Sequence, residues 1–331
     1  MHKRGAGVSP FGLMLNRQTL LLYRSLLYLP VLSREGAIVS AEHNSFKPQP
    51  CQQSSTKDRN SMDTWRLIPL ETHNAFMNMA IDEAILISRT EHFVPNTLRL
   101  YQWKPSAVSI GKNQNPQEVV YTEALQKLGV DLVRRNSGGG TVYHDQTGEI
   151  TYNVTAQTRD LSRTANITGA YTAIYAAITD ALRLLGINAN FNPGDAKTCP
   201  NLTVQGKKIS GSAQTLKRNV VQQHGTFLLS VDLTRMFQLL RVPFSDNCSQ
   251  AAQIATRKIT SVQNELGHAV TAETAANALT QGFMATLKIH LINSTLTHYE
   301  QALAKKLYTE KYATASWNQS AQLNSSSPNA T

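Results

Sequence analysis

The sequence predicts an α+β fold with a mixed, largely antiparallel sheet, on three observations. Strand-like segments come in consecutive runs, at 97–103 and 106–111 and again at 202–205, 208–215 and 220–231, with helical segments interspersed rather than alternating one for one. The last of these runs reads as a meander whose hairpin tip, Leu216–Asn219, is short and basic. The glycine run at 138–140 lies between two strand-like segments instead of opening a helix, as a doubly wound dinucleotide fold would need.

Residues 65–70 (WRLIPL) read as a short strand, and Thr72 and Asn74 are candidate caps for a helix through Phe76–Ser88. In that helix Phe76, Met79, Ala80, Ala84 and Ile87 recur near helical spacing. Lys104-Pro105 reads as a tight turn between the strands 97–103 and 106–111, and a helix over 117–128 should stop at Gly129. Strand 130–135 runs into Ser137-Gly138-Gly139-Gly140, and strand 149–155 follows. A helix over 169–185 puts Ile174, Ile178, Ala181, Leu182 and Leu185 on one face. Helices near 233–241, 272–287 and 296–309 complete the body, which shows no internal repeat.

The 331 residues suffice for a sizeable core, and 41% hydrophobic against 16% charged residues rules out a wholly disordered chain. Three cysteines exclude a disulfide framework or a four-cysteine metal site. No apolar run reaches ~18 residues, so we expect no membrane-spanning helix. The net charge is +10, and residues 1–61, with eight Lys/Arg against three Asp/Glu, hold half of the excess. The body carries no basic run longer than two residues, which argues against nucleic acid as a partner. The expected organisation is a basic, disordered extension over 1–61, one catalytic domain over 62–318 and a disordered tail over 319–331. The extension carries an apolar stretch, Thr19 to Leu32, broken by Arg24 and Pro30. A targeting peptide and an amphipathic anchor are the other two readings of it, so an organelle stays open beside the cytoplasmic location we expect. Met62 is an alternative start.

Three stretches carry chemistry. In Arg134-Arg135-Asn136-Ser137-Gly138-Gly139-Gly140-Thr141-Val142-Tyr143-His144-Asp145, the glycines bare backbone N–H groups to an anion, the arginines offer bidentate charge to phosphate or carboxylate, and His144-Asp145 can fix the loop. In Gly206-Lys207-Lys208-Ile209-Ser210-Gly211-Ser212-Ala213-Gln214, small residues leave room for a slender ligand beside a strand, and a lysine can neutralise charge on a phosphate or acyl oxygen. Strand alternation sends Lys207 and Lys208 to opposite faces without choosing between them. In Gln222-Gln223-His224-Gly225-Thr226, His224-Gly225 permits a close backbone approach, although a half-buried core histidine would look the same.

In this order, RRNSGGGTVYHD, GKKISGSAQ and QQHGTFLLSVDL resemble the catalytic domain of the lipoate–protein ligase A family, which is related to octanoyl and lipoyl transferases. SIGKNQNPQEV (109–119) and EKYATASWN (310–318) are similar to it as well, so the likeness spans about Trp65–Asn318. The resemblance implies a curved sheet with the acyl chain in a tunnel. It implies an ATP-dependent ligase, with Mg²⁺ accompanying ATP, that turns lipoate or octanoate into an acyl-adenylate and passes it to a lysine of a lipoyl carrier domain (2-oxoacid dehydrogenase E2 or glycine cleavage H protein). Carried over, Arg135, Gly138, Gly139, Gly140, Thr141, Val142 and Tyr143 would hold the adenylate. Lys208 would be the catalytic lysine, touching both acyl carbonyl and phosphate. Ser210, Gly211, Ala213, His144, His224 and Gly225 would line the lipoate site with it. No dedicated metal-ligand cluster is visible. Ligases of the family usually show Arg-Asn-Asp where this chain has Thr198-Cys199-Pro200-Asn201. A related transferase group places a cysteine nucleophile in this general region, so Cys199, favoured as thiolate by Lys197, Lys207 and Lys208, carries the alternative of an acyltransferase that works from an acyl-carrier thioester or acyl-AMP without its own ATP activation. The ligases' accessory domain is not matched after Asn318, so a separate accessory subunit is a further expected partner.

Overall fold

The computed structural model describes residues 62–162, 164–195 and 199–320. The expectations for 1–61 and for the tail beyond Ser320 lie outside the described residues, whereas Gln319, expected in the tail, closes the last helix.

Strand β1 (Asp63–His73) is followed by helix α1 (Ala75–Thr90), which starts where the Asn74 side chain accepts from the Met77 N–H at 2.9 Å. Asn74 rather than Thr72 is the cap, because Thr72 still belongs to the strand. The chain returns through β2 (Thr97–Trp103), parallel to β1, and crosses by way of Lys104-Pro105 into a second sheet at β3 (Ala107–Ile110). The expected helix over 117–128 is two short ones, α2 (Pro116–Val119) and α3 (Thr122–Lys127). Val120 interrupts them: its backbone is extended and bridges Leu240 while its side chain enters a small apolar cluster. β4 (Asp131–Arg134) and β5 (Val142–His144) flank β3 and hold the glycine loop between them.

β6 (Glu149–Gln157), the short α4 (Thr158–Leu161) and the long α5 (Ile167–Leu184) come next. The meander β7 (Asn190–Asn192), β8 (Asn201–Val204), β9 (Lys207–Lys217) and β10 (Val220–Leu228) follows. Arg218 and Asn219 turn the last hairpin with positive φ, as a two-residue turn needs. Then come α6 (Leu233–Leu239), α7 (Cys248–Ala255), α8 (Val262–Leu266), α9 (Ala272–Leu287), β11 (Ile289–Asn293), α10 (His298–Leu307), a π turn at Tyr308–Tyr312 and α11 (Ala315–Gln319). The main sheet has the order β11-β1-β2-β6-β10-β9-β8-β7, parallel in its first three strands and antiparallel after, beside the small sheet β4-β3-β5. The mixed, mostly antiparallel α+β fold is therefore as expected. Among the described residues no helix is long and apolar enough to cross a membrane.

The two faces of the main sheet differ in chemistry. Leu98, Leu100, Ile150, Tyr152 and Val154 pack with α5 and α9 into the main core. The alternating residues Arg99, Tyr101, Trp103, Thr151, Asn153 and Thr155 face the other way, toward α1, and are buried as well. The polar face is paired mostly within itself: Arg99 donates to Asp82 Oδ1 at 2.7 Å and Glu71 Oε1 at 2.7 Å, and the Tyr101 hydroxyl donates to Asp82 Oδ2 at 2.9 Å, while Asn153 Nδ2 is left without a partner. Burial alone would raise the Asp82 pKa, but the Arg99 charge and then His224 hold it below the usual carboxylate range.

One buried pair anchors the C-terminal helices to β1. Arg66 donates in a bidentate fashion to Glu300 at 2.8 and 2.6 Å, and Glu300 also accepts the Thr297 N–H in a capping box at the start of α10. Glu300→Ala leaves the Arg66 charge buried without its partner, so urea unfolding should show a loss of about 3–5 kcal/mol. A loss below about 1 kcal/mol would mean the pair behaves like a surface bridge.

Candidate active site

A cavity of about 250 Å³ opens where the two sheets meet. Its outer wall carries exposed or half-exposed groups: Cys199, Lys208, Gly139 and Gly140. Its floor is made by the buried residues Met79, Tyr101, Trp103, Ser109, His144 and Thr151. The polar groups of that floor are committed inside the wall. Trp103 Nε1 donates to Thr151 Oγ1 at 2.8 Å, Thr151 Oγ1 donates to Glu149 at 2.5 Å, and Trp103 stacks on the His144 ring at 4.1 Å between centroids. To a ligand the floor is therefore mostly apolar, while the mouth is polar and cationic.

The glycine loop is held from behind by Arg135. Its guanidinium donates to the carbonyls of Gly138 at 3.0 Å, Gly140 at 2.8 Å and Ser109 at 2.9 Å. With those carbonyls turned to the buried arginine, the N–H groups of Gly139 and Gly140 make no hydrogen bond among the described residues. Gly139 sits at φ +91°, a conformation that L side chains rarely adopt. Gln114 braces the loop mouth: its Oε1 accepts from the Gly111 N–H at 2.8 Å and from Thr141 Oγ1 at 3.2 Å. The arginines thus depart from expectation. Arg135 lines the cavity but spends both Nη groups on Ser109 and the loop carbonyls, and Arg134 donates to the carbonyls of Gln114, Trp317 and Asn318 at 2.6, 2.8 and 3.1 Å, tying the C-terminal segment to the loop. Neither extends a free fork of donors to a phosphate. Burial without a carboxylate partner pushes the Arg135 pKa down to about 10.

Two buried acid–imidazole–hydroxyl chains flank the loop. His144 bonds to Ser109 Oγ at 2.7 Å and to Glu149 Oε1 at 2.8 Å. His224 bonds to Ser137 Oγ at 2.8 Å, with its other ring nitrogen 3.6 Å from Asp82. Burial first, and then the Arg135 charge, depress the His224 pKa, against the pull of Asp82. Both histidines line the cavity, as expected, but they spend ring nitrogens on the scaffold. The Ser109, Glu149 and Asp82 partners were not singled out from the sequence. Their signal is the alternation of polar residues through otherwise apolar strands, as in EITYNVTAQ.

Lys208 is the second residue of β9, and its backbone pairs with Lys258 and Thr260. Its side chain lies over Gly211, where an added Cβ would come within 2.5 Å of the ammonium. The residue keeps solvent contact at the mouth, yet the protein atoms crowding its ammonium lower its pKa, against an opposing pull from Cys199. Gly211, Ala213, Gly225, Thr141 and Val142 line the cavity. Ser210 does not: it is buried, and its neighbour Ser212 reaches the cavity instead. Tyr143 is also turned away, donating to Asp145 at 3.0 Å, and Gly138 stands outside with its carbonyl on Arg135. Among the described residues no group of three or more His, Cys, Asp or Glu could hold a metal ion.

A two-sheet fold around a cavity with a lysine and a glycine loop at its mouth is the architecture of the lipoate ligase-like enzymes. The chain matches the lipoyl protein ligase A/B catalytic domain over residues 74–284 and belongs to that family. It is similar to octanoyltransferase LipM of Brevibacillus brevis, 34% identical over 78% of this chain and 99% of that protein. Octanoyltransferase LipM of Bacillus subtilis is 33% identical over 77% and 98% of the two chains. Among solved structures, that of a bi-partite lipoate protein ligase and its E2 lipoyl domain from Thermoplasma acidophilum superposes with a TM-score of 0.68 at 29% identity, covering 79% of this chain and 98% of the other. Lipoate-protein ligase A bound with ATP gives 0.67 at 29% identity, covering 78% and 100%. The expected family and fold are thereby established, and the relatives at a third identity are transferases by name.

Gly111 packs face to face with the loop, and a Cβ there would fall 2.1 Å from the Gly139 carbonyl oxygen, whereas a Cβ on Gly138 meets open space. Gly111→Ala should cost about tenfold or more in kcat/KM through displacement of the loop, and Gly138→Ala less than about twofold. Equal effects in a steady-state assay would contradict this geometry.

Proposed function

We propose that the chain is an octanoyltransferase that moves an octanoyl group from a carrier-protein thioester to Cys199 and then to a lysine of a lipoyl carrier domain. One observation carries the reading: Cys199 lines the same cavity as Lys208 and the glycine loop, within electrostatic reach of Lys208 and Arg135. The names of the B. brevis and B. subtilis relatives support it.

In the first step the Cys199 thiolate attacks the thioester carbon, and the carbonyl electron pair moves onto oxygen. The Lys208 ammonium and the N–H groups of Gly139 and Gly140 are the donors that would stabilise this oxyanion. Collapse breaks the bond to the carrier sulfur, which leaves as a thiol by taking the proton that Cys199 gave up on forming its thiolate, and Cys199 becomes the acyl thioester. The amine of the acceptor lysine then attacks the same carbon. Its C–N bond forms, the Cys199 C–S bond breaks, and the amine's surplus proton returns to the Cys199 sulfur. Lys208, its pKa lowered by burial, can pass that proton within the cavity. The apolar floor takes the acyl chain. The acceptor class is drawn from the T. acidophilum system, which pairs its ligase with an E2 lipoyl domain.

No step in this sequence consumes ATP. The residues present fit a nucleotide poorly, since Arg134 and Arg135 are occupied by backbone carbonyls. The cavity also needs no second chain to complete its cysteine, lysine and loop, so we infer that no accessory subunit is required.

With octanoyl carrier thioester, apo lipoyl domain and no ATP or Mg²⁺, intact-mass analysis should show octanoylation of the domain. Cys199→Ser should lower the rate by at least about a thousandfold, the scale on which nucleophile removal acts. Transfer that needs free acid plus ATP, and survives Cys199→Ser, would establish the ligase reading instead. Lys208→Ala should abolish transfer while leaving the urea unfolding midpoint unchanged, because the side chain lies in the cavity mouth rather than the core. Full activity of Lys208→Ala would remove the lysine from the mechanism.

A further inference from the structure

We propose that Tyr175 is a positioning residue for Cys199, acting at the end of a one-directional hydrogen-bond chain that starts on the strands carrying the cavity. The proposal rests on the transferase reading of Cys199. The chain begins on β9, where the Gln214 amide donates to the Gln223 side-chain oxygen on β10. Gln223 Nε2 donates to Ser212 Oγ at 3.0 Å, Ser212 Oγ donates to the Tyr175 hydroxyl at 2.8 Å, and that hydroxyl donates to the carbonyl of Pro200 at 2.9 Å. Every link donates in the same sense, so each polarises the next toward the Pro200 carbonyl. Pro200 directly follows Cys199, and the Cys199 carbonyl is held in turn by Asn201 Nδ2 at 3.0 Å.

The rest of the Tyr175 environment suits an anchor. The side chain is fully buried in α5, with its ring between Tyr171, stacked at 6.1 Å, and Phe191 at 5.3 Å. Burial raises its pKa, so the hydroxyl keeps the proton it donates. β9 carries Lys208 at one end and Ser212 four residues on, and both line the cavity with Cys199. One strand therefore fixes the lysine directly and the cysteine through Ser212 and Tyr175. This chain would set the separation of the two groups that meet on the acyl carbonyl, leaving the apolar floor untouched.

Tyr175→Phe removes only the hydroxyl and keeps the ring packing. We expect the single-turnover rate of Cys199 acylation to fall about tenfold to a hundredfold, the scale of a small misplacement, with KM for the thioester within about threefold. The thermal midpoint should stay within about 2–4 °C, the shift for roughly 1 kcal/mol in a domain of more than about 150 residues. Ser212→Ala should act in the same direction, and the double variant should lose no more than the worse single. Losses that multiply, or unimpaired acylation by Tyr175→Phe, would overturn the proposal. A second readout does not depend on acyl transfer: a short thiol-to-amine cross-linker should join Cys199 to Lys208 in the unmodified protein, with a several-fold lower yield in Tyr175→Phe. If the unmodified protein forms no acyl-Cys199, the transferase reading fails, and the cross-link alone decides the positioning, an unchanged yield overturning it.

Discussion

The guanidinium of Arg135 is the constraint on which the site depends. A buried cation without a carboxylate is costly unless its donors are met, and here the carbonyls of Ser109, Gly138 and Gly140 take its two Nη groups while Nε stays without a partner. Satisfying the arginine turns the loop carbonyls inward, which leaves the N–H groups of Gly139 and Gly140 for an anionic oxygen. Lys208 adds its charge to the same cavity, and among the described residues that line it none is acidic. The result is a cationic mouth over an apolar floor, suited to an acyl carbonyl that develops negative charge while its alkyl tail stays dry. The two acid–histidine–serine chains hold this arrangement from Ser109 and Ser137, on either side of Arg135.

Much of the architecture was legible in the sequence because it follows local rules. The long helices obey apolar periodicity, and the strands 97–103 and 149–155 alternate. Gly129 and the residues Arg218 and Asn219 stand where positive φ was needed. The helix over 117–128 was misread because the cluster around Val120 outweighs local propensity. β7, β11, α7 and α8 were missed for length, at three to eight residues each.

For the site, sequence motifs found the loop, Lys208, His144, His224 and Cys199, all of which meet at one cavity. They could not show that the arginines donate to backbone carbonyls, because an arginine beside glycines looks the same whether it faces a phosphate or a carbonyl. They also missed Asp82, Ser109, Glu149, Tyr175 and Ser212. These partners lie far apart in sequence and are brought together only by the order of the main sheet, whose inner strands are buried on both faces, one apolar and one polar. Ser210, which the resemblance put at the lipoate site, is buried while Ser212 reaches the cavity, and the register between β8 and β9 is irregular at Leu202/Thr203.

On the proposed mechanism Cys199, Lys208 and the glycine loop act on one acyl carbon. Rapid quenching of a single turnover with octanoyl carrier thioester, followed by peptide mass mapping, tests it most directly. A hydroxylamine-labile octanoyl group should form on Cys199 and decay at rates able to support steady-state turnover. An octanoyl group that never resides on Cys199 while the lipoyl domain becomes modified would contradict it.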